Sequence, residues 1–235
     1  MERPELLLRY LSSHAYERTQ GCPEPGLRPF LTISRQAGAG GHTLAELIPK
    51  AFEETGAEKL KGWQWADRAI CESLAADPKM GVSLDSLLDE RFRGHLEDYL
   101  SQTIVGTAPQ MRVHRALFRT IRSLAAFGRV VILGRGGVCC TRGFKGGVHV
   151  RLIGSRPVRV QRTMSRLSCG KVEAERWVDA QDKERAGLLK EYFGARIDDP
   201  MLYDVVLNTD RWSPKETAAA IADLVLARAR DAVAA

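Results

Sequence analysis

Short apolar runs alternate with stretches of helical period along this chain. Phe30 to Ile33 is an apolar run with β-branched residues, and Arg129 to Leu133, Val148 to Ile153 and the shorter Val205 to Leu207 repeat the pattern. Such runs predict buried strands. Between them, Leu44, Leu47, Ile48 and Ala51 fall on one helical face. A helix is expected from about Ala69 to Ala76, closed by Asp77-Pro78. Leu84 to Leu100 places Leu84, Leu87, Leu88, Phe92, Leu96 and Leu100 on one side, and Val113 to Phe127 runs helically up to Gly128. Pro157 opens a basic helix carrying Arg159, Arg162 and Arg166. Val172 to Tyr192 is helical and charged, and Pro214 to Ala229 is an alanine-rich helix. Strands alternating with helices predict an α/β fold, a parallel sheet with helices on both faces. Three helices in succession without a strand, up to Phe127, predict a helical insertion on that core.

With 235 residues and 44% hydrophobic content, the chain has room for one sizeable domain with a buried core. Residues 1–28 read as an N-terminal extension and linker, because Gly21-Cys-Pro-Glu-Pro-Gly26 concentrates breakers of regular structure. The domain proper takes residues 29–235. No run approaches the 18 apolar residues of a membrane span, and Met1 to Arg9 lacks the apolar core and cleavage site of a signal peptide. Cys22, Cys71, Cys139, Cys140 and Cys169 show no C-x-x-C spacing, so a cytoplasmic chain with reduced thiols is expected. A net charge of +6 favours an anionic partner. There is no long run of like charge and no interleaving of aromatic with basic residues, which disfavours nucleic acid.

The most informative stretch follows the first strand. Gly38, Ala39, Gly40, Gly41 and His42 form a loop that leads into the helix opening at Thr43. Strand, glycine loop and helix N-terminus together present N–H groups to an anion. Laid over the pattern G-x-x-x-x-G-K-[S/T], Arg35 takes the first glycine, Gly40 the second and Gly41 the lysine, with His42 inserted before Thr43. The lysine is absent, and Arg35 and His42 are the nearby cations. A plain strand-to-helix turn is the competing reading.

Ile33-Ser-Arg-Gln-Ala-Gly-Ala-Gly-Gly-His-Thr43, Asp67-Arg68, Gly134-Arg-Gly-Gly137, Asp182-x-x-Arg185 and Tyr203-Asp-Val-Val-Leu-Asn-Thr209 occur in this order. Together they resemble the cytidylate-kinase-like family, a branch of the P-loop nucleoside monophosphate kinases. The resemblance implies a three-layer P-loop kinase fold with a helical acceptor-binding insertion, about residues 62–127, and a lid, about residues 162–196. It implies transfer of the γ-phosphoryl of ATP, with magnesium, to a nucleoside monophosphate such as CMP or dCMP. Under it, Gly38 to Thr43 hold the donor phosphates, Thr43 offers a hydroxyl to magnesium, and Asn208 borders the donor base. Asp67, Arg68 and Arg135 meet the acceptor. Arg162, Arg166 and Arg196 belong to the lid, and Arg35, Asp182 and Arg185 serve the transfer itself. Phosphoryl transfer depends on positioned cations more than on covalent chemistry, which is why arginines are the residue type of interest. Bland readings stand beside these. Asp67 and Thr43 are also good helix N-terminal residues, Asn208-Thr209 also reads as a turn, lid arginines also make surface ion pairs, and Cys139-Cys140 reads as core. A nucleotide-binding sensor and a kinase for another small phosphorylated acceptor remain alternatives.

Overall fold

The computed structural model describes residues 27–76, 98–102 and 109–234. Five strands make one parallel sheet in the order β2-β3-β1-β4-β5: β1 (Phe30–Arg35), β2 (Gln64–Ala66), β3 (Val130–Leu133), β4 (Gly147–Ile153) and β5 (Val205–Asn208). The helices are α1 (Gly41–Glu54), α2 (Arg68–Ala76), α3 (Pro109–Phe127), the short α4 (Gly137–Cys140), α5 (Arg156–Leu167), α6 (Lys171–Phe193) and α7 (Pro214–Ala234). Residues 98–102 are also helical.

Alternation along the strands sorts the core into two layers, as a parallel sheet buried on both faces requires. Phe30, Val130 and Ile132 face one side, where α2, α3 and α4 supply Leu74, Phe118, Ile121 and Cys140. Leu31, Ile33, Val131 and Leu133 face the other, against Leu44, Ile48 and Phe52 of α1 and Ile221 and Val225 of α7. The result is a three-layer α/β fold. A third, small cluster joins α5 and α6: Val160, Ala174 and Val178 close on Ala37 of the glycine loop.

The strand that the apolar pattern missed is β2. It pairs in parallel with β3, Trp65 opposite Val131, so Gln64–Ala66 belongs to the sheet. The apolar pattern assigns no element to Gly62 to Arg68, and the three helices expected in succession begin only after it, at about Ala69. Three residues are too few to show a period, and β2 exists because the edge of β3 offers it backbone partners. The expected helix over Leu84 to Leu100 lies outside the described residues except for its last turn, and the prefix to Gly26 lies outside them altogether. Gly134 to Gly137 leads from β3 into the short α4.

β1 is the central strand. The chain leaving it returns through α1 to β2 on one side, whereas the chain leaving the adjacent β4 returns to β5 on the other. The crevice outside the carboxyl ends of strands that diverge in this way is where ligands bind in open α/β sheets.

Candidate active site

The loop at the end of β1 is held from three sides. Gln36 N donates to Leu152 O of β4 at 3.0 Å. Ala37 N donates to Asp182 Oδ1 of α6 at 2.7 Å, and Ala37 O accepts from Arg159 Nη1 of α5 at 3.0 Å. Arg159 and Asp182 are themselves paired at 2.7 Å. Gly38 (φ +76°) packs so closely on the backbone of Arg159 that a Cβ there would collide with the carbonyl. Gly40 caps α1 in the left-handed region, φ 78°, ψ 12°. A cap of that kind suits glycine, which has no side chain to strain. Leu44 N is the first N–H of α1 to find a backbone acceptor, Gly40 O. The N–H groups of Gly40, Gly41, His42 and Thr43 therefore stay without one among the described residues, the usual state of a helix start and the reason such a start attracts anions.

These N–H groups border a cavity of ≈ 680 Å³ that runs along the carboxyl edge of the sheet. Gly38, Ala39, Gly40, Gly41, His42 and Thr43 line one end, with Arg35, Asp67, Arg68 and Arg185 beside them. Arg162 and Arg166 of α5 and Trp177 of α6 line it as well. A smaller cavity of ≈ 60 Å³ lies next to it, lined by Thr32, Ser34, Arg135, Gln181, Glu184 and Leu188 among others. Arg35, Arg68 and Arg185 line both. The two cavities thus share a wall of guanidinium groups.

Arg35 is the most constrained of these. Its side chain passes between Gly41, where a Cβ would lie 2.9 Å from Arg35 Cγ, and Gly134, where a Cβ would overlap Arg35 Nη1. Burial, then the charges of Arg185, Arg135 and Arg166, push its guanidinium down to about 9, with Asp67 alone opposing. Among the described residues it has no hydrogen-bond or ion-pair partner. A guanidinium remains protonated at neutral pH, so the shift measures how unfavourably an unpaired cation sits there, and an anion would relieve it. Arg185 is also pushed down, by burial first, and donates to Arg35 O at 3.3 Å.

Arg68 and Arg135 are engaged. Arg68 donates to Glu72 Oε1 and Glu184 Oε1, both at 2.9 Å, and Arg135 reaches the same two oxygens at 3.4 Å. Arg135 has φ +53°, uncommon for a residue with a side chain, which turns its guanidinium back toward α2 and α6. Asp67 caps α2, accepting from Ile70 N at 3.0 Å, while also lining the larger cavity. His42 is exposed and leans on the Trp65 ring, centroids 5.3 Å apart.

Other expected site residues lie differently. Arg162 is tied to Thr209, Oγ1 at 2.9 Å and O at 2.8 Å, and Arg166 covers the Trp177 ring at 4.6 Å. Arg196 does not line either cavity: it is exposed and pairs with Asp198 at 3.1 Å. Asn208 also stays outside both, because its side chain accepts from Asp210 N and forms a turn; Thr209 lines the cavity in its place. Asp182 lines neither cavity and anchors the loop backbone instead. Its 4.0 Å separation from Arg185 makes that pairing the weaker one. The residues that sequence reasoning passed over are Arg159, Glu72, Glu184 and Trp212. Arg159 carried a signal, since with Val160 and Thr163 it forms the buried face of α5.

For magnesium, the fit rests on Thr43. Its hydroxyl borders the larger cavity and has no partner among the described residues, which also contain no cluster of three or more metal-ligating side chains. A single hydroxyl suits an ion that arrives with phosphates and keeps several of its waters.

Residues 30–211 match the model of the cytidylate kinase-like family. No curated protein matches the chain. Among solved structures, an uncharacterized protein from Eubacterium ventriosum is similar over 85% of this chain and 99% of its own, at 18% identity and TM-score 0.63. That likeness concerns the fold. Shikimate kinase from Bacteroides thetaiotaomicron (14% identity, 84% of this chain and 98% of its own, TM-score 0.42) and TT1252 from Thermus thermophilus (16%, 86% and 97%, TM-score 0.39) are more distant.

Proposed function

The chain belongs to the cytidylate kinase-like family, and from that premise we propose that it transfers the γ-phosphoryl group of ATP to a nucleoside monophosphate, CMP or dCMP. The observation that carries the reading is the shared wall: Arg35, Arg68 and Arg185 stand between a large cavity ending in a glycine loop and a smaller one beside it. Such an arrangement suits a group that starts in one cavity and ends in the other. The donor's phosphates lie on the N–H groups of Gly40 to Thr43. The acceptor's phosphate sits by Arg135 and Arg68, displacing the carboxylates that hold them. An acceptor phosphate oxygen attacks the γ-phosphorus, the bond to the β-phosphate oxygen breaks, and ADP and a nucleoside diphosphate leave. Arg35 and Arg185 neutralise charge on the moving phosphoryl, the work that a P-loop lysine does elsewhere. Magnesium, held by Thr43 and the donor phosphates, would neutralise the remaining phosphate charge. The pyrimidine acceptor follows from the family rather than from any contact in the smaller cavity.

A coupled assay with magnesium, ATP and a panel of nucleoside monophosphates tests this. Turnover is expected with CMP or dCMP above AMP, GMP and UMP. ATP binding without turnover on any acceptor would overturn the proposal and favour the sensor reading.

A further inference from the structure

β1 contributes two hydroxyls to the lining of the smaller cavity, Thr32 and Ser34, which alternation puts on one face of the sheet. Directly opposite them in the register, on β4, are His149 and Arg151. Each β4 side chain engages the hydroxyl it faces. His149 Nδ1 lies 2.8 Å from Thr32 Oγ1, and Arg151 Nη1 donates to Ser34 Oγ at 2.9 Å. Thr32 is buried, whereas Ser34 is only half-buried, so Ser34 carries the hydroxyl within a ligand's reach.

Arg151 decides how that hydroxyl works. It is buried, with 6% of its surface exposed, and has no carboxylate at ion-pair distance among the described residues. A guanidinium only donates, so it uses Ser34 Oγ as an acceptor and leaves the Ser34 proton for another group. Tyr203 Oη lies 3.2 Å from Ser34 Oγ. Tyr203 has one proton, and Ile197 O, which can only accept, takes it at 2.8 Å. The Ser34 proton is left with the Tyr203 oxygen across a gap longer than the about 2.8 Å of a good hydroxyl bond, and a better-placed oxygen in the cavity would capture it.

The remaining lining indicates what that oxygen belongs to. The arginine wall takes an acceptor's phosphate. Val138, Leu188, Leu189 and Ile197 make the rest of the cavity largely apolar. Its ≈ 60 Å³ holds roughly four to six waters, the bulk of a single substituted ring. An apolar slot with one well-fixed donor suits a flat ring that carries a carbonyl.

We infer that Ser34, fixed as a donor by Arg151, gives a hydrogen bond to the ring carbonyl of the acceptor's base, O2 where the acceptor is CMP. The inference rests on the reading of this cavity as the acceptor site.

The test pairs a change in the protein with a change in the ligand. The full chain, Ser34→Ala and Ser34→Cys are titrated calorimetrically with CMP, with its 2-thio analogue, whose sulfur accepts hydrogen bonds weakly, and with ATP. The parent should bind CMP about tenfold more tightly than the analogue, the size of one buried hydrogen bond. Ser34→Ala should lose about tenfold on CMP and little on the analogue, so that the two ligands bind alike. Ser34→Cys keeps the shape of the side chain with a weaker donor and should give the same pattern, which covers the case in which Ser34→Ala does not fold because Arg151 has lost its acceptor. Unchanged ATP affinity reports that a variant is folded. Equal weakening of CMP and the analogue would mean that Ser34 acts only on the fold, and unchanged CMP affinity would mean that it touches no acceptor; either overturns the inference. Failure of the parent to bind CMP would overturn the acceptor-site reading and the inference with it.

Discussion

At Arg35 a guanidinium is confined between two glycines, among three other arginines and without a fixed anion. If it serves the developing charge on a moving phosphoryl, Arg35→Ala lowers kcat by ~10³-fold or more and weakens ATP binding far less. Steady-state kinetics beside direct binding separates the two, and a near-normal kcat would remove Arg35 from the chemistry. Arg159 makes the contrasting case. It is buried, and it binds Gly154 O, Ala37 O and Asp182 at once. Arg159→Ala leaves the Asp182 carboxylate without its partner, and a loss of about 3 kcal/mol in unfolding free energy is expected. Urea denaturation would measure it, with a shift under ~1 kcal/mol showing that the loop has other anchors.

The glycine loop and the turn after β3 are elements in which similar residues do different work. At Gly40 a Cβ would meet nothing within 4 Å, so the constraint lies in the backbone, φ +78°. Gly40→Val therefore strains the cap of α1 by ~1–2 kcal/mol and redirects the N–H groups. Loss of ATP binding in a folded protein is expected by calorimetry and circular dichroism, and intact affinity would show that this loop cradles no phosphate. At Gly134 a Cβ would overlap the Arg35 guanidinium. Gly134→Ala should therefore reproduce the kcat loss of Arg35→Ala, and adding it to Arg35→Ala should lower kcat little further. Additive losses in the double variant would mean that Gly134 acts independently of Arg35.

Across the whole molecule, helices cover both faces of the sheet, and His149 shows a consequence of that burial. It lies on β4 in hydrogen-bond contact with Thr32 of β1, Nδ1 to Oγ1 at 2.8 Å. Burial holds its pKa below the usual 6.5, with Asp204 opposing and Arg228 adding to the shift. The folded state thus favours neutral imidazole more than the unfolded chain does. That stability is complete above about pH 6.5 and is lost as pH falls below it, by at most ~1.4 kcal/mol per pH unit for one group. Unfolding free energies of His149→Asn should decline less steeply between pH 7 and pH 5 than those of the parent. Parallel slopes would mean that His149 does not titrate between the two states.

The sequence by itself determined most of the elements, because burial leaves a local record. β1, β3, β4 and β5 are visible as apolar runs, and α1, α5, α6 and α7 as periodic or proline-opened stretches. The glycine loop is legible for the same local reason: Gly38 and Gly40 adopt positive φ that other residues avoid. Tertiary structure decided the rest. Gln64–Ala66 became a strand only because β3 presented an edge. The arginines between positions 159 and 196 look alike in sequence, yet Arg159 is buried under the loop, Arg162 is tied to Thr209, Arg166 lies on Trp177 and Arg196 faces solvent. Asp182 meets Ala37 across 145 residues. A side chain's type and its helical phase are local properties, whereas the group it meets is set by which elements the sheet order brings together.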